Sequence, residues 1–322
     1  MTQAAALAAY GSNSPSNRNR IINGDMRIDQ RNAGAAVTTP DVYVTDRWQQ
    51  FAGGGGAITW QQSSTAPAGF KYSLSATVTT ADSSLGTSDY YFLRQFIEGF
   101  NSADLEFGTA DAKTVTLSFW VRSSLTGTFG GSLHNGGGNR FYPFTYSIST
   151  TDTWEYKTIT IAGDTTGTWL TTNGAGLGVD FSLGFGSNFI GTAGSWTASQ
   201  HYTATGATSV VGTSGATFYI TGVQLEEGSV ATPFENRQYG TELALCQRYY
   251  GKVQVLYLTS AWASIANTAY WRVEMRANPT IVSVPSSGTG GSFSTQGDTN
   301  AAFQNNANSG LAGGYITGSA EL

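Results

Sequence analysis

The sequence predicts an all-β protein: a jelly-roll β-sandwich followed by a small C-terminal β-domain, with a short hinge helix and an N-terminal arm. Three observations lead there. Charged residues are only 11% of the 322 positions, less than half of the roughly 25% usual in soluble domains. Glycine occurs 41 times and aromatic residues make up 13%, the composition of many short strands joined by tight turns. Apolar residues recur at period two along most of the chain, whereas long amphipathic helical stretches are absent.

Taken in order, residues 1–18 form the arm: Thr2–Ala9 suits a short helix that Gly11 and Pro15 end, and Ser12–Asn19 reads as linker or docking segment. The jelly roll spans 19–240. Its clearest strand is Thr114–Arg122, with Val115, Leu117, Phe119 and Val121 on one face and Thr116, Ser118, Trp120 and Arg122 on the other. Lys71–Val78, Trp154–Ile161 and Thr217–Leu225 read as further strands. Gly53–Gly56, Gly136–Gly138 and Asn173–Gly176 punctuate them. Thr232-Pro233-Phe234-Glu235 reads equally as a capping box or as a strand-to-loop exit. Residues 241–251 carry helix signals: Thr241 as cap, Glu242 in the first turn, Arg248 near the end and Gly251 at the exit. Leu243, Cys246 and Tyr250 would share its buried face. So short a helix is marginal alone and must pack at the junction of the two β-domains. In 252–322, Val253–Leu258, Tyr270–Met275 and Ile281–Val284 read as strands before a Gly/Ser/Asn-rich stretch. A unit this small leans on the first domain or on copies of itself.

Several classes fall away. With 16 basic against 21 acidic residues the net charge is −5, the reverse of a nucleic-acid binder. No run of about 20 apolar residues suggests membrane insertion. The single Cys246 leaves no disulfide framework within the chain and fits a packed helix face. Met1–Tyr10 lacks the basic start and apolar stretch of a signal peptide. An exterior-type composition without an export signal fits a particle assembled in the host cytoplasm.

Enzymatic signatures are missing: His134 and His201 stand far apart, no nucleophile elbow or P-loop is present, and Gly174–Gly178 reads as turn chemistry. No cofactor is expected. Asp104, Glu106 and Asp111, and likewise Asp25 with Asp29, read foremost as loop carboxylates, next as ligands of a structural Ca²⁺ and last as a catalytic pair. Eight Trp and 16 Tyr supply flat faces for sugar rings. Trp154, Trp169, Trp196 and Tyr142 are the candidate glycan-binding residues, each also readable as core. Trp120 lies on an outer face or against a neighbouring chain. Arg94 and Glu98 read equally as a semi-buried ion pair at a subunit contact or as a solvated strand edge, and Asp46-Arg47-Trp48 as a carboxylate–guanidinium pair over an indole. Asn23-Gly24 marks a tight turn, and Gln224 and Glu226 serve backbone groups at the domain seam.

Asn19-Arg20-Ile21-Ile22-Asn23-Gly24-Asp25-Met26-Arg27-Ile28-Asp29-Gln30-Arg31-Asn32, then Asp46-Arg47-Trp48, Val115–Arg122, Gly222–Gly228 running into Thr232–Glu235, Glu242–Tyr250 and Met275–Thr280 together resemble a family of tailed-phage virion structural proteins. The resemblance covers roughly residues 19–251, and the family's main domain is similar to a carbohydrate-binding-module jelly roll. It implies a tail-fibre or tail-tip protein on the outside of the virion that takes part in host-surface glycan recognition and adsorption. It further implies a homotrimer, docked to other tail or head proteins through the arm. A head-decoration or capsid-fibre role is the alternative, and a tailspike polysaccharide depolymerase, which would need an acidic pair, is a third. The family has no catalytic residues to carry over.

Overall fold

Period-two alternation resolves into two stacked antiparallel sheets in the computed structural model, which describes residues 18–259, 266–287, 292–295, 300–304 and 310–322. The expected helix at Thr2–Ala9 and nearly all of the 1–18 arm lie outside the described residues. One sheet contains β1 (Tyr43–Thr45), β2 (Trp48–Gly53), β5 (Tyr90–Glu98), β7 (Gly127–Asn135), β8 (Phe141–Ile148) and β10 (Ala175–Phe185), in the order β1-β2-β5-β10-β7-β8. The other contains β3 (Ala57–Ser63), β4 (Ser73–Thr80), β6 (Val115–Ser123), β9 (Glu155–Ile161) and β13 (Thr217–Glu227), ordered β3-β4-β13-β6-β9. A two-residue parallel pair, β11 (Ile190–Gly191) with β12 (Thr203–Ala204), lies outside the six-stranded sheet. The all-β sandwich is as expected.

The core is the space between the sheets. Val115, Leu117, Phe119 and Val121 of β6 all point into it, fully buried, as their alternation predicts. They meet Leu177, Val179, Phe181 and Leu183 of β10, with Phe181 edge-on to Phe119 at 5.0 Å between ring centroids. In β13 the inward positions shift from Phe218 and Ile220 to Val223 and Leu225 across a register slip. Gly222, at φ +62°, forms this bulge. Gln224 and Glu226 then accept the backbone N–H groups of Glu235 and Thr232, so Thr232–Glu235 is a tied-down loop and not a helix start.

The predicted turn at Asn173–Gly176 is corrected in part: Ala175 begins β10, and the following glycines belong to the strand. They are there for space. A Cβ at Gly178 would come within 2.3 Å of the His134 ring, and one at Gly176 within 2.7 Å of the Gly99 backbone.

The hinge helix, α1 (Tyr239–Gln247), starts and ends earlier than its local signals suggest. Tyr250 and Gly251, expected in it, open β14 (Tyr250–Thr259), because pairing with β19 (Gly310–Ser319) takes over their hydrogen bonds. Cys246, with Tyr249 in the place expected for Tyr250, packs against Ile22 and Ile28, so α1 is fixed to the segment that precedes β1. β14, β19 and β16 (Thr280–Ser287) form one three-stranded sheet with β19 central. β15 (Ala266–Tyr270), β18 (Asn300–Gln304) and β17 (Ser292–Thr295) form another. The strand expected at Tyr270–Met275 is irregular after Tyr270, since Trp271 and Met275 turn inward to cover Ile316 and Ala320. The Gly/Ser/Asn-rich tail contributes β17, β18 and the central β19.

Two expected ion pairs are also corrected. Arg94 and Glu98 share a face of β5, but four residues of extended chain separate them by about 13 Å. Glu98 instead accepts from Arg248 at 2.7 and 3.0 Å and from the Tyr249 hydroxyl at 2.7 Å. Arg47 does not pair with its neighbour Asp46; it reaches the Glu321 carboxylate and lies 3.6 Å from the Tyr249 ring centroid. Asp46 accepts from Gln30, and its burial pushes the carboxyl up to about 7.

Candidate functional site

The outer face of the six-stranded sheet is built by β5. Its inward residues Tyr91, Leu93 and Ile97 join the core, which leaves Tyr90, Phe92, Arg94 and Phe96 facing outward. Register places Arg94 beside Asp180 of β10, and Asp180 beside Ser132 of β7. Arg94 donates to the Asp180 carboxylate through Nε at 2.6 Å and Nη2 at 3.0 Å. Ser132 Oγ adds a bond at 3.1 Å, and His134 Nε2 lies 3.2 Å from the same carboxylate. Burial alone would raise the Asp180 carboxyl, but the Arg94 guanidinium, with His134 beside the same carboxylate, outweighs it and holds it at about 2. Arg94 in turn is raised above its ordinary value, as Asp180 overcomes the desolvation that would lower it.

Four aromatic rings surround the Arg94 guanidinium: Phe92 at 4.8 Å, Phe96 at 4.9 Å, Phe51 at 5.1 Å and Tyr202 at 5.3 Å. Phe51, Phe92, Phe185 and Tyr202 lie nearly parallel, whereas Tyr90 and Phe189 stand edge-on to them. Phe51 stacks on Phe92 at 4.8 Å and 9°, and Tyr202 on Phe185 at 5.5 Å and 8°. Between them opens a groove of about 290 Å³, bordered by Phe51, Tyr90, Phe92, Phe185, Phe189 and Tyr202, with Arg94 and Gln200 as its polar members. Flat apolar walls with a few fixed polar groups can hold a ring-shaped, hydroxyl-bearing ligand. Asp180, locked as an anion, cannot donate a proton there at neutral pH.

Of the residues expected to bind glycan, three come together elsewhere. Trp169 and Trp196 meet edge-to-face at 5.4 Å and 89°, Tyr142 packs on Trp196 at 5.3 Å, and Phe107 lies 4.8 Å from Trp169. Both indole N–H groups are taken by loop carbonyls, Trp169 with Thr166 at 3.1 Å and Trp196 with Ala162 at 2.7 Å. This cluster packs on the core's edge and pins the loops around it, although Trp169 also borders a pocket of about 280 Å³ with Phe107, Leu170 and Asp111. Trp154 is separate, near Tyr219 beside the five-stranded sheet.

The carboxylate trio does not converge on one point. Asp104 pairs with Arg20 at 2.6 Å and Glu106 with Lys113 at 3.2 Å, while Asp111 faces the pocket beside Trp169. The 3₁₀ turn at Ala103–Leu105, with Glu106 in left-handed conformation at its end, splays Asp104 and Glu106 toward different cations. Among the described residues, no group of three or more His, Cys, Asp or Glu is placed to hold a metal ion.

Sequence reasoning missed the Arg94 face. Its signal was present in Tyr90-x-Phe92-x-Arg94-x-Phe96, an alternation as regular as that of β6. Both faces of β5 carry large apolar residues and at least one polar one, however (Tyr91, Leu93, Gln95 and Ile97 on one, Tyr90, Phe92, Arg94 and Phe96 on the other), so polarity does not mark which is outward.

No known protein family matches the chain, and no curated protein does. Among solved structures it is similar to the enzymatically active domain of tailspike protein 4 of bacteriophage CBA120, at 13% identity and a TM-score of 0.35 over 66% of this chain. That match spans 22% of the tailspike's length. It is also similar to a candidate sugar-binding protein from Bacteroides thetaiotaomicron, at 14% identity and a TM-score of 0.37, over 65% of this chain and 100% of that one. A family 11 carbohydrate-binding module from Clostridium thermocellum, solved with a mixed-linked tetrasaccharide, matches at 13% identity and a TM-score of 0.31, over 61% of this chain and 98% of that one. These values are too low to assign the chain to any of those families.

Proposed function

We propose that this chain is a phage virion structural protein of the tail-fibre or tail-tip kind that binds a host-surface glycan and performs no chemistry on it. The observation that carries the binding reading is the groove around Arg94, walled by aligned aromatic rings and anchored by a buried ion pair. A pyranose has apolar C–H faces that stack on such rings and hydroxyls that bond to Gln200 and Arg94. The Asn19–Asn32 and Gly222–Gly228 motifs support the virion origin. A homotrimer docked through residues 1–18 belongs to the same reading, because three weak sites on one fibre gain avidity without new contacts.

The test is binding of the full chain to a glycan array and to host cells, beside Phe51→Ala, Tyr202→Ala and Trp169→Ala. The first two should weaken binding about tenfold each, the loss of roughly one stacked ring. Trp169→Ala should leave affinity unchanged. Loss with Trp169→Ala alone would move the site to the Trp169–Trp196 cluster, and release of reducing sugar from host polysaccharide would make the protein a depolymerase.

A further inference from the structure

The opposite face of the sandwich carries a second groove. On β6, Ser118 and Trp120 alternate outward from the core positions, and register sets Trp120 beside Tyr156 of β9 with ring centroids 5.4 Å apart. Phe70 and Phe234, in contact at 5.2 Å, form the facing wall. The bulge at Gly222 keeps the floor open, since a Cβ there would meet the Phe70 ring at 2.6 Å and Trp120 at 3.2 Å. The resulting cavity is about 450 Å³. It continues at Gly69, Phe70 and Asn236 into a neighbouring cavity of about 470 Å³ that has charged walls.

Two features show what kind of ligand fits. Ser118 is 2% exposed and sets a small polar side chain on the floor of the groove. At the charged end, Arg27 is already engaged, with Asp25 at 3.0 Å and with the Arg237 carbonyl. Lys71 is exposed there and makes no ion pair among the described residues. The groove thus joins an aromatic platform to an unmatched positive charge, in a chain whose net charge is −5.

We infer that this groove is a second saccharide site, for a pyranose that bears an anionic substituent: the ring on Trp120 and Tyr156, a hydroxyl at Ser118, the anion at Lys71. It differs in chemistry from the first groove, where Asp180 neutralises the arginine. The inference extends the glycan-binding reading to a second face, and the two sites fail separately.

The experiment is a glycan array carrying matched neutral and acidic pyranose glycans (uronates and sialates beside their uncharged counterparts), probed with the full-length protein. Tyr156→Ala should remove acidic-glycan binding by about tenfold, the scale of one lost stacking partner. Lys71→Gln, a change at an exposed site that leaves the fold intact, should lower it about threefold and erase the preference for acidic over neutral forms. Phe51→Ala and Tyr202→Ala should leave that binding as it is. No binding of acidic glycans, or binding insensitive to both Tyr156→Ala and Lys71→Gln, overturns the site. Loss of all binding with Tyr202→Ala would assign the acidic glycans to the first groove instead.

Discussion

Asp180 has no exposed side-chain surface, and three partners surround its carboxylate. Such a group is tolerated because Arg94 binds it bidentately, and either partner alone would be a buried, uncompensated charge. Its folded value of about 2 lies below the ordinary 3.8, so the pair contributes stability that is fully present above about pH 4. That contribution falls away as pH drops toward 2 and amounts to about 2 kcal/mol. Thermal unfolding of the wild type and of Asp180→Asn at pH 7, 4 and 2.5 should show the difference between them shrinking by about that amount. A constant difference would mean that the carboxylate is not held as described. Arg94 was noticed in the sequence, yet its partner 86 positions away was not. Local spacing suggested Glu98, and only the β5–β10 register selects Asp180.

For elements the deciding contacts are equally remote. Helix α1 has no side-chain cap at its N-terminus. Its first-turn Glu242, 3% exposed, accepts the Asn23 backbone N–H and faces the Arg237 guanidinium. The glutamate thus ties the helix to the Asn23-Gly24 turn, where Gly24 is required because a Cβ would meet the Val223 carbonyl oxygen at 2.1 Å. Glu242→Ala leaves a buried N–H and a guanidinium without their acceptor and should cost about 3 kcal/mol. Glu242→Gln, which keeps an accepting oxygen, should recover part of it. Urea unfolding followed by tryptophan fluorescence measures both, and equal loss in the two variants would show that the charge alone matters. The helix itself was readable from Thr241, Glu242 and Arg248. Its limits were not, because they are set by the pairing of Tyr250 with Ser319 and by the turn at Asn23.

Across the whole molecule, charged contacts join the C-terminal sheets to the sandwich. Glu321 lies between Arg31, at 2.7 Å, and Arg47, and Arg47 covers the Tyr249 ring. Arg276 donates to the carbonyls of Asn173, at 2.6 Å, and of Ala320, at 2.7 Å. The small core of Trp271, Met275, Ile316 and Ala320 is modest, so these contacts hold a unit that has little burial of its own. Glu321→Ala removes the shared carboxylate from two arginines and should cost about 3 kcal/mol. Limited proteolysis should then cut within residues 252–319 much faster than in the wild type, while the 19–250 fragment persists. Equal cutting rates would show that the sheets are held by other contacts.

Composition and alternation, by themselves, determined the all-β class, the inward face of β6, a helix near residue 241 and the burial of Cys246. Each of these depends on residues close in sequence, because period, charge and turn chemistry act over a few residues. The tertiary structure alone decided which carboxylate each arginine meets, why glycines sit inside β10, and that the aligned rings gather around Arg94 while Trp169 and Trp196 pin loops. Those outcomes depend on which strands become neighbours and in what register: the β5–β10 register couples Arg94 to Asp180, 86 positions apart, and side-chain contacts reach as far as the 290 positions between Arg31 and Glu321, distances that no local pattern can span.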